Sequence, residues 1–531
     1  MAKKRVTLQD VADRVGVSVA AVSQALSGKG RLAPETREQI LKVVEELAYR
    51  PDQYAQNLAR RYATQAGGKR LRRSRGRHMP PHGAMAFYDV PQLLEVVRLE
   101  LRQMDEEGHD VRSCQETLHS LTRPSKRRIY RLYGDIVSSP SCPDFGYHEP
   151  DALADIQNAR LDGPRAASIA LTSNDLYGRI HGAWLGRVAG CVLGKPLQAG
   201  WSKTRVIEYL RLADSYPLVT YVPRVVPPPP GFDFQPEASG TFLGEIEGAP
   251  DDDDTDYTIL ALHILESCGL DFRTADIATE WLGHIPYFGT YTTERAAYRN
   301  LVWNVHPDQV STLVNPAREF DGARTRADLY GYVAPGKPEL AASLAYKDAA
   351  LSHTKNGIYA AMFMAAMIAW SFVTDDVEDI VRVGLSEIPR DSRLAEAVRD
   401  VLDAHQSSED WELAYERLLL DYGDYLPIHA INNTAWVVLS LLYGGGDLDR
   451  ALGTAVACGM DTGSNAANVG SVMGALASAS GIPLKWIEPL QDTLFTAIAR
   501  FPQARISELA RRTAQLAEAV LIESGASETQ V

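Results

Sequence analysis

Glycine recurs every fourth residue through "DLYGRIHGAWLGRVAGCVLGKP", at Gly178, Gly182, Gly186, Gly190 and Gly194. In a helix, a spacing of four keeps these positions on one face, and a face without side chains lets another backbone approach closely. The stretch "NVGSVMGA" repeats the device with Gly470 and Gly474. Such a chain is built around tight helix packing. From about Ala84 onward the apolar residues keep helical spacing, as in "LLEVVRLELRQMDEEG" and "TILALHILESCG", with few strand-like alternations and no internal repeat. One loop, "YVPRVVPPPPGFDFQPEASGTF", has four successive prolines and must be extended.

At 531 residues the chain is too long for one core, so two or three domains are expected. A hydrophobic share of 45% with 23% charged residues suits a soluble globular protein. Net charge is −14, unevenly placed: residues 1–77 hold 17 Lys/Arg against 7 Asp/Glu, and the remainder 37 against 61. That asymmetry suggests a basic nucleic-acid arm on an acidic body. The five cysteines, Cys114, Cys142, Cys191, Cys268 and Cys458, include no Cys-x-x-Cys pair, which argues for reduced thiols in a cytosol. No signal-peptide core opens the chain. The most apolar run, "IYAAMFMAAMIAWSFV", is short of a membrane span and reads as a buried helix; no membrane partner is expected.

Within the basic arm, "TLQDVADRVGVSVAAVSQALSGKG" reads as helix, turn, helix. Thr7 and Ser18 stand at the cap positions, and Gly16 sits at the turn. A third helix begins near Pro34, with Ile40, Val43, Val44 and Leu47 inward. Together with "RLAPETREQILKVVEELAYRPDQYAQNLA", this segment resembles the DNA-binding headpiece of the LacI family over about the first 60 residues. The resemblance implies a recognition helix at Ser18 to Leu26, with Val19, Ala20, Ser23 and Gln24 facing bases. It further implies a hinge helix containing Tyr54, Ala55, Asn57 and Leu58, the leucine wedging into the minor groove, and a homodimer on a two-fold double-stranded DNA operator. Val19 and Ala20 suit contacts with thymine methyls and cannot make bidentate hydrogen bonds.

The stretch "GAPDDDDTDYTILALHILE" sets Asp251, Asp252, Asp253, Asp254 and Asp256 just before or within the start of an apolar helix. On residue chemistry alone the run is either a solvated acidic loop or a cation site. Crowded carboxylates repel, and a hard divalent ion relieves that. "ACGMDTGSNAANVGSVMGA" offers Asp461, Thr462 and Ser464 before another small-residue helix. These stretches, with "GRVAGCVLGKPLQAGW", "ERAAYRNLV", "SHTKNGIYAAM" and "NNTAWVVLSLLYGGG", resemble the ADP-ribosylglycohydrolase family. The resemblance implies an all-α fold, one or two Mg2+ ions and hydrolysis of a glycosidic bond to ribose in ADP-ribose or a related compound. It makes Asp253, Asp254, Thr255, Asp256, Asp461 and Ser464 the metal ligands and Asp254 and Asp256 the catalytic carboxylates. Gln198, His353, Asn356, Gly357 and Asn433 are the candidate pocket residues, with helix capping the alternative for His353, Asn356 and Asn433. Aligned through Thr258, the first motif has Tyr257 where the family has an acid. Gly463 replaces a second acid, Gln198 stands where many relatives have Glu, and Cys191 replaces an Asp. Tyr287 and Phe288 are expected to pack in the core, with stacking on an adenine as the alternative.

The expected organisation is a headpiece at 1–60, a flexible basic linker at 61–83 and an ADP-ribosylglycohydrolase-like domain at 84–525, with core motifs at 172–480. The expected function is a cytoplasmic, nucleoid-associated transcription regulator whose body binds a ribosyl or ADP-ribose-like ligand. The alternatives are a magnesium-dependent ribosyl hydrolase that also binds DNA, and an enzyme removing ADP-ribose from proteins on nucleoids.

Overall fold

The computed structural model describes residues 34–46, 88–198 and 200–523, with Arg14, Val15, Val17 and Met85, and structural statements concern these residues. The chain divides into two units, Met1–Gly76 and Arg77–Val531.

In the first unit the described helix is α1 (Pro34–Glu46). Ile40 is fully buried, Val43 and Val44 are half-buried and Leu41 is exposed, as expected for these positions of the third helix; Leu47 lies outside the described residues. Thr7, Ser18, Val19, Ala20, Ser23, Gln24, Tyr54, Ala55, Asn57 and Leu58 lie outside the described residues.

The second unit is helical apart from two small antiparallel sheets. One pairs β1 (Trp201–Ser202) with β2 (Gly459–Met460), the other β3 (Thr493–Phe495) with β4 (Gln503–Arg505). It opens with α2 (Val90–Glu106), α3 (Arg112–His119) and α4 (Lys126–Ile136). Asp89 and Gln92 form a reciprocal capping box that starts α2. These three helices have a small core of their own, including Leu93, Val97, Ile129, Leu132 and Ile136. The sequence patterning does not separate this module from the body, because both have the same helical period. Charge joins them: Arg318 donates to Glu100 and Glu107, each at 2.6 Å, and Gln103 donates to Glu319 at 2.6 Å. Glu319 also pairs with Arg393. Burial alone would raise its pKa; Arg393 and its other partners hold it far below the usual range.

The main core forms around α5 (Ser173–Gly194) and α10 (Thr462–Gly481). Thr172 caps α5 by accepting from the Asp175 amide at 3.2 Å, and the helix gives way at Lys195-Pro196. The two helices run antiparallel in register. A Cβ on Gly182, Gly186, Gly190 or Gly194 would lie 2.0–2.2 Å from the carbonyl oxygen of Gly474, Gly470, Ala466 or Thr462 respectively. Each step of four along α5 is matched by four back along α10. Around this pair lie α6 (Asp253–Cys268), α7 (Thr274–His284), α8 (Lys355–Trp370), α9 (Ala430–Gly444) and α11 (Ile506–Glu523). The apolar run expected to be a buried helix is α8, with Ile358 to Trp370 all buried.

Gly186→Ala places a methyl group against backbone that cannot move aside, so it should cost at least about 2 kcal/mol. Gly283→Ala, at an exposed position of α7 with nothing within 4 Å of the added carbon, should be neutral or stabilise by up to about 1 kcal/mol. Thermal melts of the two variants check the contrast.

Candidate functional site

The acidic run begins with an internal neutralisation. Asp252 caps α6, accepting from the Asp254 amide at 3.0 Å, and its carboxylate pairs with Lys195 Nζ at 2.6 Å. Lys195 also donates to the Asp251 carbonyl at 2.8 Å. Beyond the cap, side chains turn about 100° per residue and part company. Asp254 is buried against the start of α10, with Ser464 Oγ 3.1 and 3.0 Å from its two oxygens. Asp256 turns the other way, where its Oδ2 accepts from the Ala497 amide at 3.0 Å and its buried Oδ1 has no hydrogen-bond partner. Thr255 Oγ1 returns to the Asp252 carbonyl at 3.1 Å, inside the cap. Tyr257 packs on Trp281, with ring centroids 5.1 Å apart.

Asp461, just before α10, forms the opposite wall. Its Oδ1 accepts from Gln198 Nε2 at 3.0 Å, and its amide donates to Asn433 Oδ1 at 3.2 Å. Asn433 is fixed by donating to the Pro427 and His429 carbonyls at 2.8 and 2.9 Å. Thr462 Oγ1 donates to the Gly194 carbonyl at 2.7 Å, tying this turn to the end of α5. Beneath lies a polar layer in which Arg324 donates to Asp321 at 3.1 Å and to Asn465 at 2.8 Å. Arg187 donates to Asp328 and to the Asp254 carbonyl.

Carboxylates outnumber the cations here. Burial, then the charges of Asp252 and Asp461, pushes the Asp254 carboxyl up to about 8. Asp253, half-buried, is pushed well above the usual range by desolvation and by Asp252 and Asp254. Asp461 is raised by burial, and Asp321 well raised by burial and Asp461. Cys191 presents its sulfur within 4.8 Å of Asp252 and Asp254 oxygens, and burial pushes its thiol up.

The family model described as ADP-ribosylglycohydrolase matches residues 172–522. The chain belongs to the ADP-ribosylglycohydrolase family. The model for bacterial regulatory proteins of the lacI family matches residues 7–52, so the chain joins a LacI-type headpiece to an ADP-ribosylglycohydrolase domain. Over its N-terminus it is 47% identical to the HTH-type transcriptional regulator AscG of Escherichia coli, across 53 residues, 10% of this chain and 16% of that one. It is 40% identical to catabolite control protein A of Priestia megaterium across 62 residues, 12% of this chain and 19% of that one. The chain thus spans less than a fifth of these relatives. A solved chain titled "ADP-ribosylglycohydrolase-related protein complex" aligns with TM-score 0.43 and 19% identity, covering 65% of this chain and 99% of that chain.

Within the ADP-ribosylglycohydrolase domain, Asp254, Asp461, Ser464, Gln198 and Asn433 are brought together. The oxygens facing α10 come from 254 rather than from the register set by Thr258. His353 is buried and engaged elsewhere: its Nε2 accepts from the Ala323 amide at 3.3 Å, and Glu294 Oε1 lies 3.8 Å away. Burial pushes its pKa well below the usual value, so the ring is neutral. Asn356 is fully engaged elsewhere, donating to Glu319 and Glu149, each at 2.8 Å, and accepting from the Leu394 amide. Gly357 serves a close approach, since a Cβ there would sit 2.8 Å from the Arg318 carbonyl. Core packing fails for Phe288, which is 85% exposed, and Tyr287, at 39%, is only partly covered. The sequence reading missed Lys195, Asp321, Arg324 and Glu294. Lys195 and Glu294 both lay in quoted stretches, "GRVAGCVLGKPLQAGW" and "ERAAYRNLV", and the charge of Glu294 reaches Asp253.

The raised carboxyls set a pH dependence. A folded-state pKa above the unfolded one means that ionisation opposes folding, so the stability of the ion-free protein should fall as pH rises from about 4 towards the Asp254 value of about 8. Asp254→Asn should flatten that decline. Melting temperatures across this range in chelator check it, and an unchanged slope in the variant would contradict the electrostatic reading.

Proposed function

We propose that the chain is a DNA-binding transcription regulator, dimeric on a two-fold operator and cytoplasmic, whose body binds a ribosyl or ADP-ribose-like ligand with one or two Mg2+ ions. The headpiece match supports the DNA-binding half. One observation supports a sensor over an efficient hydrolase: the Gln198 amide donates to Asp461 directly over Gly463, whose added Cβ would lie 2.9 Å from Gln198 Oε1. A neutral amide thus occupies the space into which a side chain at 463 would project. Gln198 cannot take a proton, and Gly463 offers no side-chain oxygen.

The remaining donors fit a hard divalent ion. Asp253, Asp254, Asp461 and Ser464 would offer oxygen ligands, and the three carboxyls are raised by burial and by one another's or neighbouring charges. Magnesium there would neutralise the carboxylates and anchor ribose oxygens. Asp256, directed to Ala497, and Asp252, paired with Lys195, support the turn from its flanks. Tyr287, Phe288 and Tyr291 are exposed enough to offer ring faces to a flat base. Burial, then the charges of Asp253 and Asp252, raises the Tyr291 hydroxyl.

The hydrolase reading has its own support: Asp254, titrating at about 8, suits a base near neutral pH. Product release decides between the two. The wild-type chain should bind ADP-ribose or a nucleoside with magnesium and turn it over slowly. The double change Gln198→Glu with Gly463→Asp should raise hydrolysis, each group contributing on the order of a hundredfold. Gly463→Asp alone should gain less, because Gln198 still cannot take a proton. Brisk wild-type turnover would overturn the sensor reading. For the DNA half, Leu58→Ala should weaken operator binding far more than binding to random DNA. Equal losses in a gel-shift titration would remove the hinge-helix assignment. For the metal, magnesium should raise the melting temperature by mass action, and Asp461→Ala should abolish the response.

A further inference from the structure

A second cluster of ligating side chains lies on the same helix as the acidic turn, away from that turn. His263 projects from α6, and Glu280 and His284 stand one turn apart on α7. His263 Nε2 lies 3.4 Å and His284 Nδ1 3.0 Å from the same oxygen, Glu280 Oε2. The three ligand atoms all fall within 4.8 Å of one another.

We propose that His263, Glu280 and His284 form a transition-metal site, with zinc as the preferred ion, separate from the magnesium site. The donor set is the first argument. Two imidazoles and one carboxylate suit a borderline ion such as zinc, whereas magnesium prefers oxygen ligands. Spacing is the second. Ligands at about 2.1 Å from a tetrahedral zinc are separated by roughly 3.4 Å, close to the two His–Glu280 separations of 3.4 and 3.0 Å, and all three ligand atoms lie within 4.8 Å. Access is the third: the side chains of His263, Glu280 and His284 are 27%, 20% and 15% exposed, which admits an ion and a completing water. On one flank the Phe501 ring lies 5.6 and 6.2 Å from the two imidazoles and partly excludes solvent.

The position gives the ion a role. Zinc there would tie α6 to α7, and α7 holds the 496–502 loop through the Ala499 amide, which donates to the His284 carbonyl at 2.8 Å. The same loop holds Asp256 through Ala497. The ion would therefore brace the acidic turn from behind without entering it.

The test uses the tag-free full chain, dialysed against micromolar zinc with millimolar magnesium present, with metal counted by elemental analysis. His263→Gln combined with His284→Gln should bind one zinc fewer than the parent chain, with unchanged circular dichroism. Asp254→Asn should keep the parent's zinc content. Should the double variant fail to fold, Glu280→Gln replaces it and should lower zinc affinity. Equal zinc content in parent and variants, or no zinc in the parent, overturns the proposal and leaves an ordinary hydrogen-bonded trio.

Discussion

The carbonyl-to-glycine contacts between α5 and α10 fix everything that follows. At Gly186 and Gly190 the approach leaves no room for a single methyl group. Because the steps match along both helices, the end of α5 is delivered to the start of α10 without adjustable slack. That delivery puts Gln198 against Asp461 and lets Thr462 bind the Gly194 carbonyl. A looser helix pair would leave these groups free to shift by an ångström, which is enough to spoil a ligand cradle.

On that frame sits an unusual amount of buried charge. Arg187, Arg324 and Arg326 are fully buried, with Asp328, Asp321, Asp348 and Glu294 as partners. Removing one member of such a pair leaves an uncompensated buried charge, a loss of about 3–5 kcal/mol. The acidic turn differs from these pairs. Lys195 balances Asp252, but Asp253, Asp254 and Asp461 are short of cations and their carboxyls rise. Burial raises the paired carboxyls of Asp321, Asp328 and Glu294 as well, but the turn gathers Asp253, Asp254 and Asp461, each raised, beside the already paired Asp252, and such a gathering favours an added cation there. The Gln198 amide relieves part of the strain at Asp461 alone.

The fold was legible where the sequence had a period. The glycine spacing announced a close helix contact, and the apolar run of α8 announced a buried helix. The partner register was not legible, because Ala466 and Thr462 contribute carbonyl oxygens that any residue supplies. At the site, Asp254, Asp461 and Ser464 were legible from residue type and position. Which of the crowded aspartates faces α10 was not, since that depends on where the cap at Asp252 starts the helix. Lys195 stood in a quoted stretch three residues before Gln198, but its pairing with Asp252 joins distant segments; Asp321 and Arg324 come from another distant segment, and Asn356 was drawn into the Glu319 network by contacts that sequence order hides. The headpiece positions lie outside the described residues, so that half rests on the family match.

If the body is a sensor, ligand and DNA must be thermodynamically coupled through the full chain. The decisive quantity is the operator affinity at fixed salt, with and without a saturating ADP-ribose-like ligand and magnesium. Coupling of the usual size changes that affinity by about 5- to 150-fold, and operator DNA must change the ligand affinity by the same factor. Operator affinity that stays the same while the ligand is demonstrably bound would contradict the account.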